Sequence, residues 1–584
     1  MQQDEISLLV GGEAGQGINA AGFLLAKSFF RGGLHVFGSI DYPSLIRGGH
    51  NFYTLRAAGY PVYSHWDTIN LVIALDALTM KRHHKHVSKD GGYIYDSDRI
   101  PADHHDIPTD KKFLCPIPLK TLQKEIGGTP VIRNVIALGA TLAVLDYDVT
   151  ILEVILRENF QRKGDKVVEM NHRAVRAGYD YAKKNFSNEF TYQIKAISKT
   201  KQNRILIPGS EAIAVGAMAA GCKFYSAYPM TPSSGVLHFF FAQGEQFGIV
   251  THQPESEIAA INMVIGAAHA GTRAMTGTSG GGFCLMTEAF SMAGMTETPL
   301  VVMLGQRTGP STGLPTYTGQ SDLLFAIHAS HGEFPRILLA PGDVQESFDL
   351  TIDAFNLAEQ FQLPVIILTD KHLLESHYTN DTFKLDNVPI DRGKLLPMTP
   401  YKGEKPYLRH RYTDDGISPR LIPGTPNALV HTDSAVHKES GFQGDHCEIA
   451  ERQANKRYQK MPTLMKTLSK RDTVKIHGPH DAKTSIVSWG SPKGAILEAL
   501  RILHKEHQSI NFTQILYIEP FPVSEVEKAF QGKRLILVEN NQTGQLGSLI
   551  QQYTDYKINY RILRYDGRPF DPGDLTDRIR EALK

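Results

Sequence analysis

Apolar runs of strand length alternate with longer helical runs along most of this chain, and that alternation constrains the fold more than any other feature. "EISLLVGG" leads into "GINAAGFLLAKSFFRGG" and then "LHVFGSI". "INLVIALDA" and "GGYIYDS" read as further strands, and "RNVIALGATLAVL" and "ILEVILRENF" as helices. Strands interleaved with helices predict a mostly parallel α/β sheet. The pattern restarts at "ILIPGSEAIAVGAMAAG", with the strands "RAMTGTS", "PLVVMLG", "RILLAP" and "LPVIILTD". It restarts again with "TSIVSWG", the helix "GAILEALRILHKE", "TQILYIEPFP" and "RLILVENN". A chain of 584 residues exceeds one core, since domains run to ~100–200 residues. The expected division is 1–190, 203–380, an ordered connector at 381–470 rich in Pro, Gly, Asp and His, and 471–584. The polar stretch Ser187–Arg204 reads as a linker.

Composition narrows the function classes. Apolar residues make up 41% and charged residues 21%, with a formal net charge of +1. Those values describe a globular protein with no electrostatic footprint for nucleic acid or membrane. The short basic run "KRHHKHV" reads as a solvated helix face. The four cysteines, Cys115, Cys222, Cys284 and Cys447, form no CxxC. They are expected as buried free thiols rather than disulfides or ligands of an iron–sulfur cluster. The start "MQQDEISLLV" is acidic and enters a strand directly, and no long apolar span follows. A cytoplasmic location is the expectation.

Four stretches carry candidate chemistry. "GGEAGQGINAAG" places Gly15-x-Gly17-x-x-Ala20 between a strand and a helix. This fits a nicotinamide or flavin fingerprint with Asp41 as the ribose acid, a tight turn without ligand, or a site for another phosphate-bearing molecule. "TSGGGF" holds Ser279, Gly280, Gly281 and Gly282 after a strand, where bare backbone admits a ligand or simply turns. In "PESEIAAINMVIGAAHAG", helical phase puts Glu257 on the face of Ile261, Val264, Ile265 and Ala268, and Glu255 beside Asn262. An inward carboxylate needs a partner. Both glutamates also suit the positive end of a helix dipole. "GQRTGPSTGLPT" sets Arg307 at the end of a strand, where it can grip a carboxylate in a bidentate fork or pair with a neighbouring acid.

Taken in order, "YPMTPSS", "PESEIAAINMVIGAAHAG", "TSGGGF", "GQRTGPSTGLPT" and "LPVIILTDKHL" resemble the alpha subunit of 2-oxoacid:ferredoxin oxidoreductases. "RYTDDGISPRLIPGTP", "EPFP" and "VENNQTGQLGSL" continue the match. The front segment, with "GEAGQGINAAG", "DYPSLIRGGHN" and "RNVIALGA", resembles that family's gamma domain. Gamma fused ahead of alpha is typical of 2-oxoglutarate-type members. The resemblance implies a gamma-type α/β domain, a thiamine-diphosphate-binding α/β domain of pyrimidine type, and a transketolase C-terminal-like α/β domain. Met230 departs from the family's usual Ile, a swap of similar volume.

The resemblance also implies roles. Thr231 and Arg307 match the family's contacts to the 2-oxoacid end of the substrate, with Ser233 beside them. Glu257 matches the glutamate that hydrogen-bonds the aminopyrimidine of thiamine diphosphate. Tyr228, Pro229, Ser279, Gly280 and Gly281 are the other cofactor-side candidates. Gly12, Gly15, Gly17, Arg47, Gly48 and Gly49 become coenzyme A candidates, which replaces the nicotinamide reading. The chain has no GDG triplet, so a separate beta subunit is expected to carry the diphosphate, Mg²⁺ and a [4Fe–4S] cluster, with no metal on this chain. The implied reaction is reversible, coenzyme A-dependent oxidative decarboxylation of 2-oxoglutarate with electrons passing to ferredoxin, in a dimer of alpha–beta heterodimers. Alternatives are a branched-chain or aryl 2-oxoacid substrate and a non-catalytic NAD-binding or assembly protein.

Overall fold

The computed structural model describes residues 4–45, 48–111, 113–197 and 203–584. The chain divides into two compact units. The first comprises 1–207, 376–382 and 571–575, and the second 208–375, 383–570 and 576–584. These units cross the expected boundaries, because the strand His377–Asp381 pairs with the sheet of the first unit.

The first unit is built on an eight-stranded sheet. Its centre is β1 (Glu5–Glu13), followed by α1 (Ile18–Arg31), β2 (His35–Asp41), β3 (His50–Ala58) and β4 (Ile69–Ala74). β1 pairs in parallel with β4 and antiparallel with β3, and β3 pairs antiparallel with β2. The expectation of a mostly parallel sheet is therefore corrected here. Only the short segment 42–49 joins β2 to β3, too short for a crossover helix, so the two strands must run in opposite directions. β3 also separates β1 from β2. The strand bearing Asp41 thus does not lie beside β1, as a dinucleotide-binding βαβ unit requires.

Part of the predicted linker is core. Phe190, Tyr192 and Ile194 alternate inward and pack with the apolar cluster of this unit. Residues 198–202 of that stretch lie outside the described residues. Among the cysteines, Cys115 and Cys222 are buried, whereas Cys284 and Cys447 are exposed, against expectation. Both lie on helices with a solvent-facing side, Gly280–Met295 and Cys447–Tyr458.

The second unit holds two sheets. In the larger, the strands run in the order Tyr517–Glu519, Ile337–Leu339, Pro364–Asp370, Leu300–Gln306, Ala274–Thr278, Phe224–Ser226 and Val250–His252. All pairings are parallel except that of Tyr517–Glu519. Leu300–Gln306, Ile337–Leu339 and Pro364–Asp370 are buried along their whole length, as strands covered on both faces are, whereas the edge strand Val250–His252 is largely exposed. The smaller sheet contains Val474–His477, Ile510–Ile515, Thr484–Ser488, Arg534–Glu539 and Tyr560–Leu563. Residues 383–446 contain turns and isolated bridges but are well anchored. Buried Arg409 donates to Gln362 Oε1 and Glu297 O, and buried Arg420 pairs with Glu359. Among the described residues no helix is long and apolar enough to cross a membrane.

Candidate active site

The candidate residues of the second unit gather at the carboxyl ends of adjacent parallel strands, where open α/β sheets bind ligands. Phe224–Ser226 feeds the turn "AYPMTPS", Ala274–Thr278 feeds Ser279–Gly282, and Leu300–Gln306 delivers Arg307. Val250–His252 precedes the helix that begins with Glu257.

The helix Glu257–His269 starts later than its sequence suggests. Ser256 is the N-cap, and its hydroxyl accepts a hydrogen bond from Ala259 N at 3.2 Å. A serine at this position satisfies a backbone N–H that has no partner within the helix. Pro254 and Glu255 therefore precede the helix, which corrects the placement of Glu255 beside Asn262 by helical phase. Glu255 is exposed. Glu257 is 4% exposed, on the same face as buried Ile261, Val264, Ile265 and Ala268. Its Oε1 is buried without a hydrogen-bond partner among the described residues. A carboxylate oxygen in that state requires a donor from a bound group.

The three-glycine turn presses against this carboxylate. A Cβ on Gly282 would stand 2.8 Å from both Cγ and Oε1 of Glu257, and 2.0 Å from Thr278 Oγ1. Gly282 thus lets the first turn of Gly280–Met295 close over Glu257. Gly281 is exposed, with no atom within 4 Å of where its Cβ would be. Ser279 is fully buried, and its hydroxyl, like those of Thr276 and Thr278, has no partner among the described residues. Together these atoms form a set of buried donors and acceptors beside an open stretch of backbone.

Arg307 and Thr231 meet, but through the main chain. Arg307 Nη1 donates to Thr231 O at 2.9 Å. Thr231 is half-buried, and its hydroxyl makes no hydrogen bond among the described residues. Ser233 is buried and donates its hydroxyl proton to Met230 O at 2.6 Å, closing the turn. Tyr228 and Pro229 are exposed at the turn's tip. Burial lowers the Arg307 pKa from its ordinary value, against the pull of Asp322. Sequence reasoning named Gly282 only as the last of the three-glycine run and did not single out Asp322. "SDLL" reads as an ordinary helix start, and neither position carries a local signal of the contact it makes.

Among the glycine candidates of the first unit, Gly12 lies near the end of β1, and the others lie on two adjoining loops. Gly15, Gly17, Gly48 and Gly49 all have positive φ, and Ala14 N donates to Gly49 O at 3.3 Å. Gly17 caps α1 in the left-handed region, which only glycine adopts at little cost. At Gly12 a Cβ would stand 2.5 Å from Gln16 Oε1. Arg47 lies outside the described residues. Beside Gly15 and Gln16 is a cavity of about 170 Å³ whose lining includes Arg99, Arg133 and Asn134. Those arginines were not among the sequence candidates, because they follow different elements and share no motif.

Comparison with known proteins gives the family. Residues 215–456 match the family described as "Pyruvate flavodoxin/ferredoxin oxidoreductase, thiamine diP-bdg". Residues 7–181 match "Pyruvate ferredoxin/flavodoxin oxidoreductase". The chain is 34% identical to 2-oxoacid:ferredoxin oxidoreductase 2, subunit alpha, of Aeropyrum pernix, covering 99% of this chain and 98% of that protein. It is 32% identical to 2-oxoglutarate synthase subunit KorA of Methanothermobacter marburgensis, over 64% of this chain and 97% of that protein. Among solved structures it is similar to a 2-oxoglutarate:ferredoxin oxidoreductase from Magnetococcus marinus with 2-oxoglutarate, coenzyme A and succinyl-CoA bound. That likeness has a TM-score of 0.90 and 32% identity over 100% of both chains. The chain belongs to the thiamine-diphosphate-binding 2-oxoacid:ferredoxin oxidoreductases, as an alpha subunit with the gamma domain fused in front.

Proposed function

We propose that this subunit, assembled with a beta partner, catalyses coenzyme A-dependent oxidative decarboxylation of 2-oxoglutarate to succinyl-CoA and CO₂, with electrons passing to ferredoxin. The observation that carries this reading is the buried, unpartnered Oε1 of Glu257 beneath the three-glycine turn. Its neighbourhood fits the aminopyrimidine end of thiamine diphosphate: a carboxylate wanting a donor, buried hydroxyls on Thr278 and Ser279, and open backbone at Gly281. When bound, thiamine diphosphate supplies the electron sink for the pair released as the carbon–carboxylate bond breaks.

The chain's own residues do the rest. Glu257 Oε1 would accept a hydrogen bond from the cofactor's aminopyrimidine and pass the proton of that bond to and fro, out of reach of bulk water. Arg307 takes the substrate's 1-carboxylate with the guanidinium N–H groups left after the bond to Thr231 O. That bond fixes the fork relative to the turn, so the Thr231 hydroxyl and Arg307 face one substrate end together. Ser233 keeps the turn closed through Met230 O.

Coenzyme A is assigned to the first unit, at the loops of Gly12, Gly15, Gly17, Gly48 and Gly49 with Arg47. Arg99 and Arg133 beside the neighbouring cavity suit its phosphates. The beta subunit is assigned the diphosphate, Mg²⁺ and the [4Fe–4S] cluster, in a dimer of alpha–beta heterodimers. Helix Glu257–His269 is apolar on its outer side as well, with Ile258 and Met263 exposed, and Leu285 is exposed on Gly280–Met295. A helix apolar all round is one that a partner covers.

The test is co-expression with the beta partner and reduction of a viologen dye with coenzyme A and a panel of 2-oxoacids. The highest kcat/KM is expected for 2-oxoglutarate, with no turnover from this chain alone. Preference for a branched-chain or aryl 2-oxoacid would move the assignment within the family. Robust turnover by the single chain would refute the division of labour.

A further inference from the structure

Asp322 stands at the N-cap position of the helix Leu323–His328, yet its side chain caps nothing. The usual partner of such a carboxylate is taken by another residue: Leu324 N donates to Gln545 Oε1 at 3.0 Å, across 221 positions of sequence. Asp322 N donates to Gln306 Oε1 at 3.0 Å, which fixes the backbone beside Arg307. The carboxylate is turned away from its own helix toward the three-glycine turn. Its Oδ2 lies 2.5 Å from where a Cβ on Gly280 would stand, so only glycine fits opposite it. It makes no hydrogen bond among the described residues.

That carboxylate faces Arg307. The guanidinium draws the Asp322 pKa down, burial raises it, and burial wins, leaving it at about 6. The charged and titratable groups facing Asp322 are Arg307, after the strand Leu300–Gln306, and the Cys284 thiol on Gly280–Met295, whose pKa Asp322 helps to raise. The Arg307–Asp322 pair is neutral as a unit. A substrate carboxylate arriving at Arg307 adds one uncompensated negative charge to a half-buried place, which disfavours two ionised carboxylates side by side.

We propose that Asp322 is a positioning residue for Arg307, holding the guanidinium by charge before substrate binds and taking up one proton from solvent as the substrate's carboxylate claims that guanidinium. The balance is simple. One anion and one proton enter the site, no covalent bond to carbon changes, and the proton leaves again when the site clears. The inference rests on Arg307 as the ligand of the substrate's carboxylate. It concerns the 1-carboxylate common to every 2-oxoacid, so it does not depend on which one is preferred.

The test is the pH profile of kcat/KM for the 2-oxoacid, measured on the assembled alpha–beta complex between about pH 5.5 and 8.5, with about one proton taken up per substrate bound. The fraction of Asp322 already protonated falls as pH rises. Wild-type kcat/KM should therefore fall, approaching about tenfold per pH unit above the free-enzyme pKa, through KM rather than kcat. Asp322→Asn, neutral at every pH, should flatten that limb and exceed wild type at the alkaline end. Asp322→Ser, also uncharged, should give the same flat profile if the Asn variant assembles poorly. An Asn profile that falls in parallel with wild type overturns the proposal and leaves the reading of Arg307 standing. Unchanged kcat/KM in Arg307→Ala overturns that reading and the proposal together.

Discussion

Gly282→Ala is the substitution whose consequences the geometry defines most sharply. The added methyl would sit 2.0 Å from Thr278 Oγ1 and 2.8 Å from Cγ and Oε1 of Glu257. Unstrained carbon contacts lie at ~3.5–4.0 Å, so atoms must give way by roughly 1 Å. Thr278 is fully buried in a central strand, and a β-branched side chain there has little rotamer freedom. The turn must therefore shift off Thr278, and Glu257, packed beneath it, moves with it. Overpacking of this kind costs ~1–3 kcal/mol, against which alanine in place of glycine in a helix returns up to ~1 kcal/mol. The net loss is on the order of 0–2 kcal/mol, a small shift in melting temperature. A reacting group displaced by ~1 Å can cost ~10²-fold in rate. The expectation is thus a split: nearly normal thermal stability with 2-oxoacid-dependent dye reduction down by about 10²-fold in the assembled complex. Gly281→Ala, with open space at its Cβ, should lose no stability in the isolated chain. Full activity in Gly282→Ala would refute the claim that this turn packs on Glu257.

Glu257→Gln keeps size but cannot exchange a proton, so hydrogen–deuterium exchange at the cofactor's C2 should slow by ~10²–10⁴-fold. Glu255→Gln, exposed and ahead of the cap, should leave that exchange intact and change stability by less than ~0.5 kcal/mol. Arg307→Ala and Thr231→Ala should lower kcat/KM by roughly 10- to 150-fold, from ~1.5–3 kcal/mol per charge-assisted contact, while thiamine diphosphate stays bound. Glu519 offers a stability test: burial raises its pKa to about 7, against the opposing charge of Arg336, and its Oε2 has no partner among the described residues. Its folded pKa exceeds the unfolded one, so stability is highest below the unfolded value and falls as pH rises through about 7. Glu519→Gln should remove that fall, and chemical denaturation at pH 5 and pH 8 should show a gain only at the higher pH, up to ~3 kcal/mol at 1.36 kcal/mol per pKa unit.

The site was legible in the sequence to the extent that it is local. The inward direction of Glu257 follows from the 3.6-residue period of "EIAAINMVIGAA", a property of one short window. Arg307 was legible as the residue that ends a buried strand. The start of the helix was misjudged because Glu255 and Glu257 both suit the positive end of a helix dipole, and only the capping bond from Ala259 N to Ser256 decides where the helix begins. Thr231 and Arg307 were both candidates, but their link through Thr231 O was not anticipated.

What the sequence determined by itself is the set of alternating elements, the inward face of the helix that carries Glu257, and, by resemblance, the family. All of these depend on patterns a few residues long or on motifs quoted whole. The tertiary structure alone decided which elements meet. β3 enters between β1 and β2, and His377–Asp381 returns to a sheet begun more than three hundred residues earlier. Gly282 closes on Glu257, and Gln545 takes over the capping of Leu324, which leaves the Asp322 carboxylate turned toward the site. Such pairings are set by packing and hydrogen bonding between segments far apart in the chain. The periodicity of either segment carries no record of its partner, so the charge beside Arg307 became visible only once the chain was folded.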